Sequence, residues 1–212
     1  MKLRSTASVL ISVALFTQVS HAQILNNYGV KVAITSANQV FNYTSFSVPE
    51  SKRRIGVNVA LFVEWLNVPV FTLLTQLEYS QRGMATEGTV ADRGPEYGKT
   101  ITIYNRIDYI SVPIFAKIRF QTEAANPYLL IGPRIDFLLH KDSDLNAYQT
   151  IDDRLKKTIL GASVGVGIQI ISLSSINGSV ELRYNLDLQD SYSTDLLTIH
   201  NNAFDLWFGV SI

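Results

Sequence analysis

Phe204-Asp205-Leu206-Trp207-Phe208-Gly209-Val210-Ser211-Ile212 decides the fold. Positions 204, 206, 208, 210 and 212 are large and apolar, while Asp205, Gly209 and Ser211 are polar or tiny. That is a period of two, a strand with one greasy face that runs to the last residue. The ends of soluble domains usually fray into water. The last strand of a transmembrane β-barrel must instead pair with the first to close the sheet, so the pattern predicts a membrane barrel.

The other end of the chain predicts export. Lys2 and Arg4 form a short basic region, residues 9–19 are mostly apolar, and Ser20-His21-Ala22 offers a small-x-small cleavage site before Gln23. This reads as a signal peptide over 1–22, with a single domain of 190 residues over 23–212. The chain has no Cys, hence no lipid-anchored cysteine, disulfide framework or thiol chemistry. It carries 18 basic and 18 acidic residues, and cleavage leaves a net charge of −2. A near-neutral chain without a basic stripe argues against nucleic acid as a partner. No apolar run after the signal is long enough for a helical span.

Working back from the C-terminal strand, period-two segments recur at roughly 28–38, 54–65, 70–82, 109–120, 127–140, 159–171, 179–188 and 203–212. The connections alternate. Residues 39–53, 83–108, 141–158 and 189–202 are long and polar, whereas 66–69, 121–126 and 172–178 are short and carry turn residues such as Asn67, Pro69, Asn126 and Asn177-Gly178. Short turns on one side and long loops on the other predict an eight-stranded antiparallel up-and-down transmembrane β-barrel with both ends on the short-turn side. A hairpin around Gly94-Pro95 would make ten strands.

Each strand has a greasy phase, such as Ile55, Val57, Val59, Leu61, Val63 and Trp65 in the second. The opposite phase holds Lys31, Arg54, Glu64, Glu78, Arg82, Lys117, Arg119, Arg134, Asp136, Glu181, Arg183, Asp187 and Asp205. Asp108 and Lys141 fall on the greasy phase, but at strand ends. A soluble lipocalin-like lipid carrier would show the same alternation with the greasy phase inside. The aromatic residues separate the two. Trp65, Phe71 and Phe120 fall near the short-turn end of the greasy phase, and Tyr79, Phe137, Tyr184 and Phe204 near the loop end. Two aromatic rows with aliphatics between them suit two membrane interfaces, so the greasy phase is expected to face lipid.

An eight-stranded lumen is just wide enough to be filled by side chains. Two inward layers of ion pairs are therefore expected. Glu64, Lys117, Arg119 and Glu181 form the layer toward the short turns, and Arg54, Glu78, Arg82, Arg134, Asp136 and Arg183 form the layer nearer the loops. Pairing relieves the cost of burying isolated charge.

Sites for chemistry are sparse. After cleavage only His140 and His200 remain, with Asp142, Ser143 and Asp195 nearby in sequence, and nothing in the spacing requires a triad. Asp142-Ser143-Asp144 and Asp152-Asp153 lack the ligand spacing and glycine of a calcium loop. Gly161, Gly165 and Gly167 precede no helix, so they are read as room for inward neighbours rather than a phosphate loop. Pro113 and Pro133, inside strands, suggest a bulge or bend. No catalytic, cofactor or metal site is expected.

Tyr28-Gly29-Val30-Lys31, Leu77-Glu78-Tyr79-Ser80-Gln81-Arg82-Gly83, Tyr109-Ile110-Ser111-Val112-Pro113, Pro127-Tyr128-Leu129-Leu130-Ile131-Gly132-Pro133, Gly165-Val166-Gly167 and Glu181-Leu182-Arg183-Tyr184-Asn185 follow one another in that order. Through these segments the chain resembles the PorT-like outer-membrane β-barrel family of Gram-negative bacteria. The resemblance covers most of the exported chain and implies an eight-stranded barrel in the outer membrane with little chemistry of its own. Some relatives are linked to protein secretion. The chain departs from such proteins in ending on Ile212 rather than Phe. The function expected is that of a monomeric scaffold in outer-membrane lipid. Its loop aromatics Tyr43, Phe46, Tyr97, Tyr104, Tyr148 and Tyr192 would meet a glycan, or envelope or secretion proteins.

Overall fold

A computed structural model describes residues 25–43, 51–66, 68, 70–89, 98–120, 125–143, 155–170, 176–194 and 197–212. The signal segment, Gly94-Pro95, Phe46, Tyr97, Tyr148, Asp144, Asp152, Asp153 and Asp195 lie outside these residues.

Nine strands form one antiparallel sheet: β1 (Leu25–Tyr43), β2 (Lys52–Trp65), β3 (Phe71–Thr89), β4 (Thr100–Arg119), β5 (Ala125–Ser143), β6 (Thr158–Ile170), β7 (Asn177–Asp187), β8 (Tyr192–Ser193) and β9 (Leu197–Ser211). Eight of them, all but β8, make a closed ring, because β9 pairs both β7 and β1. The seam runs from Gly29 opposite Ser211 to Tyr43 opposite Leu197. Ile212 continues it, its N–H donating to the Tyr28 carbonyl at 3.0 Å. Closure removes the unpaired edges that an open sheet would present to lipid. The two-residue β8 pairs only with β9 and belongs to the loop end.

The greasy phase faces out. Ile55, Val57, Leu61, Ile131, Leu182 and Phe208 are all exposed, while Glu64, Glu78, Asp136, Glu181 and Arg183 on the opposite phase are buried. A lipocalin-like arrangement, which would invert this, is overturned. Pro113 and Pro133 both lie within continuous strands.

The strands are longer than expected on the loop side. The segment 83–108 holds no additional pair of strands among its described residues. It is the upper part of β3 and β4, paired from Gly83–Arg106 to Thr89–Thr100. Likewise β9 begins at Leu197, inside the expected loop 189–202. Tyr104 thus stands on a strand rather than at a loop tip, and Tyr192 packs against a buried apolar cluster. Two irregularities reset the phase here. The β2–β3 register slips between Arg53 and Asn58, and β5 gains a residue opposite the Asp108–Tyr109 step. Gly83, on the β3 side of the first slip, has φ +126°, and a Cβ there would sit 1.9 Å from the Asn105 carbonyl oxygen, so this position requires glycine. Through the β5 bulge, Lys141 pairs with Ile107 on the inner phase, while Asp108 stays on the outer one.

Candidate functional site: the filled lumen and an outer arginine cleft

The inward side chains form three linked clusters, rising from the short turns. Lowest, Lys117 Nζ donates to Glu64 Oε1 at 2.6 Å, tying β4 to β2. In the middle, Glu181 accepts from Lys31 at 2.7 Å and from the Tyr128 hydroxyl at 2.9 Å, and it also pairs with Arg183. Arg183 Nη1 then reaches Glu78 Oε1 at 2.5 Å, and its Nη2 reaches Gln76 Oε1 at 3.1 Å. Highest, Asp136 accepts from Arg82 at 2.6 and 3.1 Å and from Arg134 at 3.0 Å. Arg134 also pairs with Asp187, whose other oxygen accepts from Asn201 at 2.8 Å.

Ring order gives these bonds their meaning. β3 and β7 are four places apart in a ring of eight, hence diametrically opposite. The Arg183–Glu78 and Arg183–Gln76 bonds therefore cross the whole lumen, and so does the 3.5 Å approach of Arg82 to Asp187. Such charges tolerate burial because each meets an opposite charge, and several also meet neutral hydrogen-bond partners, such as Tyr128 at Glu181, Gln76 at Arg183 and Asn201 at Asp187.

Aromatic rings supply the other half of the packing. Arg183 lies between Phe115 and Trp207, 4.6 and 4.8 Å from the two ring centroids. Lys117 sits over Tyr128 at 4.2 Å, Lys31 over Phe62 at 4.7 Å and Arg82 over Tyr109 at 5.0 Å. Cation–π contact suits a site where water is excluded. Sequence reasoning placed its functional aromatics on the lipid face and missed these five. The available signal was an aromatic on the charged phase of its strand, as at Trp207 between Asp205 and Gly209. The inward glycines leave the room these groups fill. A Cβ on Gly161 would strike the Arg134 guanidinium at 2.6 Å, and one on Gly167 the Tyr128 ring at 2.3 Å.

Of the ten expected interior charges, Glu64, Glu78, Arg82, Lys117, Arg134, Asp136, Glu181 and Arg183 meet in these clusters, joined by Lys31 and Asp187. Two do not. Arg119 is half-buried at the short-turn rim, where its Nη2 donates to the Val68 carbonyl at 2.6 Å. It is the last residue of β4, so its long side chain reaches the neighbouring turn. Arg54 sits in the irregular β2–β3 register and lines a cleft with Ile55, Tyr104, Arg106 and Asp142.

Above the upper cluster the lumen is partly apolar, beside a buried hydrogen bond from Asn105 to Gln39 at 3.0 Å. Ile107, Tyr109, Leu155 and Ile159 form a buried cluster with Leu138 and Tyr192 packed on it. On the outside, Tyr79 and Phe137 share one lateral row through Ile110, and Tyr184 faces Phe204 with ring centroids 4.7 Å apart. At the other end Phe71 and Phe120 are exposed, and the Trp65 indole N–H donates to Thr75 at 2.8 Å. His200 Nε2 lies 2.8 Å from Asp190, while His140 and Asp142 are exposed on β5. Among the described residues no three His, Asp or Glu side chains come together as metal ligands.

The model of the family described as outer membrane protein beta-barrel domain matches residues 16–193. No curated protein sequence matches the chain. Several solved structures are similar. Outer membrane protein OprG from Pseudomonas aeruginosa is 8% identical, covering 88% of this chain and 97% of its own, with a TM-score of 0.48. Neisserial surface protein A is 13% identical over 88% and 98%, with a TM-score of 0.44. Outer membrane protease OmpT from Escherichia coli is 11% identical over 92% and 99%, with a TM-score of 0.45. A protease stands among them, so these likenesses assign no activity.

Proposed function

We propose that this chain, which belongs to the outer membrane protein beta-barrel domain family, is a plugged, non-enzymatic barrel of the bacterial outer membrane. Its work is to hold a rigid set of loops at the membrane surface. The observation that carries the reading is the set of bonds from Arg183 on β7 to Glu78 and Gln76 on β3, the opposite wall. A lumen bridged across its diameter by buried ion pairs, with an apolar cluster above them, favours a strut over a pore. Ring closure and a filled interior hold the strand ends rigid, which is what a platform for loops requires. The barrel acts as a monomer in outer-membrane lipid after removal of a signal peptide over 1–22. PorT-like membership is the finer family reading, carried by the segments named above.

A second reading is an accessory of protein secretion or envelope assembly. The paired extension of β3 and β4 up to Thr89 and Thr100 favours it, because a stiff hairpin raised above the barrel offers surface to another envelope protein. Planar-bilayer recording tests the main reading. The wild-type barrel is expected to show no steady large conductance, and Arg183→Ala combined with Glu78→Ala to show a steady or flickering one. A wild-type barrel that conducts steadily would overturn the plug.

A further inference from the structure

The cleft that takes up Arg54 lies on the outer wall and is used by nothing described so far. Its volume is about 380 Å³, and its lining is Arg54, Ile55, Tyr104, Arg106 and Asp142. Arg106 and Asp108 lie on the outer phase of β4, above the Tyr79–Ile110–Phe137 row. That is the level at which headgroups meet an outer-membrane barrel.

Arg106 is fixed in place. Its Nε donates to Asp108 Oδ1 at 2.9 Å and its Nη2 to Asp108 Oδ2 at 2.7 Å. Nη2 also meets the Tyr79 hydroxyl at 2.9 Å, and that hydroxyl donates to Asp108. This fork takes two of the three guanidinium nitrogens and leaves Nη1 outside it. Arg54 brings a second guanidinium to the cleft, where, among the described residues, its Nη1 makes a long 3.5 Å contact with the Arg82 carbonyl. Two guanidiniums converging from different strands repel each other, and a tetrahedral oxyanion between them relieves the repulsion with charge-assisted, bidentate hydrogen bonds. Asp108 is committed to Arg106, so Asp142 is the carboxylate left to oppose an anion. Ile55, fully on the outer phase, continues the cleft into the apolar band. A ligand that is anionic at its head and apolar below fits both parts.

We propose that this cleft binds the phosphate group of a lipid headgroup in the leaflet on the loop side, with Arg54 and Arg106 as its ligands. Arg53 is a built-in control. It lies on the same rim but donates to the Ser36 carbonyl and to Asn202, over the Phe204 ring, away from the cleft.

The test is a binding measurement on the full exported barrel in neutral detergent. The probes are a phosphorylated glycolipid, the same lipid with its phosphates removed, and inorganic phosphate. Heat-modifiable gel mobility checks that every variant is folded. Wild-type protein is expected to retain the phosphorylated lipid and release the dephosphorylated one. Arg54→Gln should weaken retention roughly tenfold or more, Arg53→Gln should leave it unchanged, and Asp142→Asn should strengthen it. Equal binding of both lipids, or equal losses in Arg53→Gln and Arg54→Gln, would overturn the site. Competition by inorganic phosphate as effective as that by the lipid would overturn the lipid assignment. The outcome does not depend on whether the lumen conducts.

Discussion

The lower part of the barrel and its loop-side extension are built from the same strands with opposite polarity. On β4 between Ile110 and Ile118 the outward residues are aliphatic, and the inward ones include Ser111 and Lys117. Above Tyr109 the order flips. Ile107 and Ile103 turn inward and are buried, while Arg106 and Asp108 take the outer phase. β9 repeats this. Leu206, Phe208 and Val210 face out below, whereas Ile199 and Leu197 are buried above, with Thr198 and His200 on the outer phase. The pleat is continuous, so what changes is the medium outside it. Against lipid the wall must be apolar and the lumen absorbs the charge. Against water the wall can be polar, and the lumen gains an apolar cluster beside the buried amides Gln39, Asn105 and Asn201.

The contrast can be broken from either side. Arg183→Ala removes the cation shared by Glu78 and Glu181 and leaves two buried carboxylates short of a partner. It should cost about 3–5 kcal/mol, read as a lower urea midpoint in detergent or lipid vesicles. A placement contrast comes next. Leu206→Arg on the outer wall of the apolar band should cost about 2–4 kcal/mol, and Thr198→Arg on the same strand above the band close to nothing. Equal costs would mean that the polarity flip does not mark the membrane edge. Ile107→Ala in the upper cluster should cost about 2 kcal/mol, the low end for a core truncation because this end can collapse around the gap. It should leave the conductance silent, since the crossing ion pairs lie below. Smallest of all, Lys52→Ala breaks the exposed Lys52–Glu87 pair and should change stability by under about 1 kcal/mol.

The same inversion explains what was legible in the sequence. Strands sought by one greasy phase end where that phase changes sign. This is why β4 is expected from 109 and found from Thr100, and β9 from 203 and found from Leu197. Asp108 and Lys141, two charges apparently on the greasy phase, mark that border from opposite sides. Arg54 lies apart from the interior clusters for a related reason. Parity assigns it inward, opposite the buried Ala37 on β1, but the β2–β3 register slips between Arg53 and Asn58, around Gly56, and Arg54 lines the outer cleft instead. The counterpart of that slip, Gly83 with φ +126°, lies on the neighbouring strand.

The closed sheet, its ring of eight, the inward phase of the charges and the outward phase of the aliphatics are legible in the chain alone. The sheet and its ring follow from a period of two and from turn chemistry, and the choice of phase follows from the two aromatic rows, all of them local signals. Which charge meets which is settled by the closed barrel. Lys31 with Glu181, and Arg183 with Glu78 across the diameter, are separated by 150 and 105 positions in the chain. Their meeting depends on ring order and stagger, which bring distant inward phases to one height. The tertiary structure also decided where the outer wall stops being lipid-facing. That border is set by the medium around the strand and by bulges that shift its phase, neither of which is written in the pattern of any one strand.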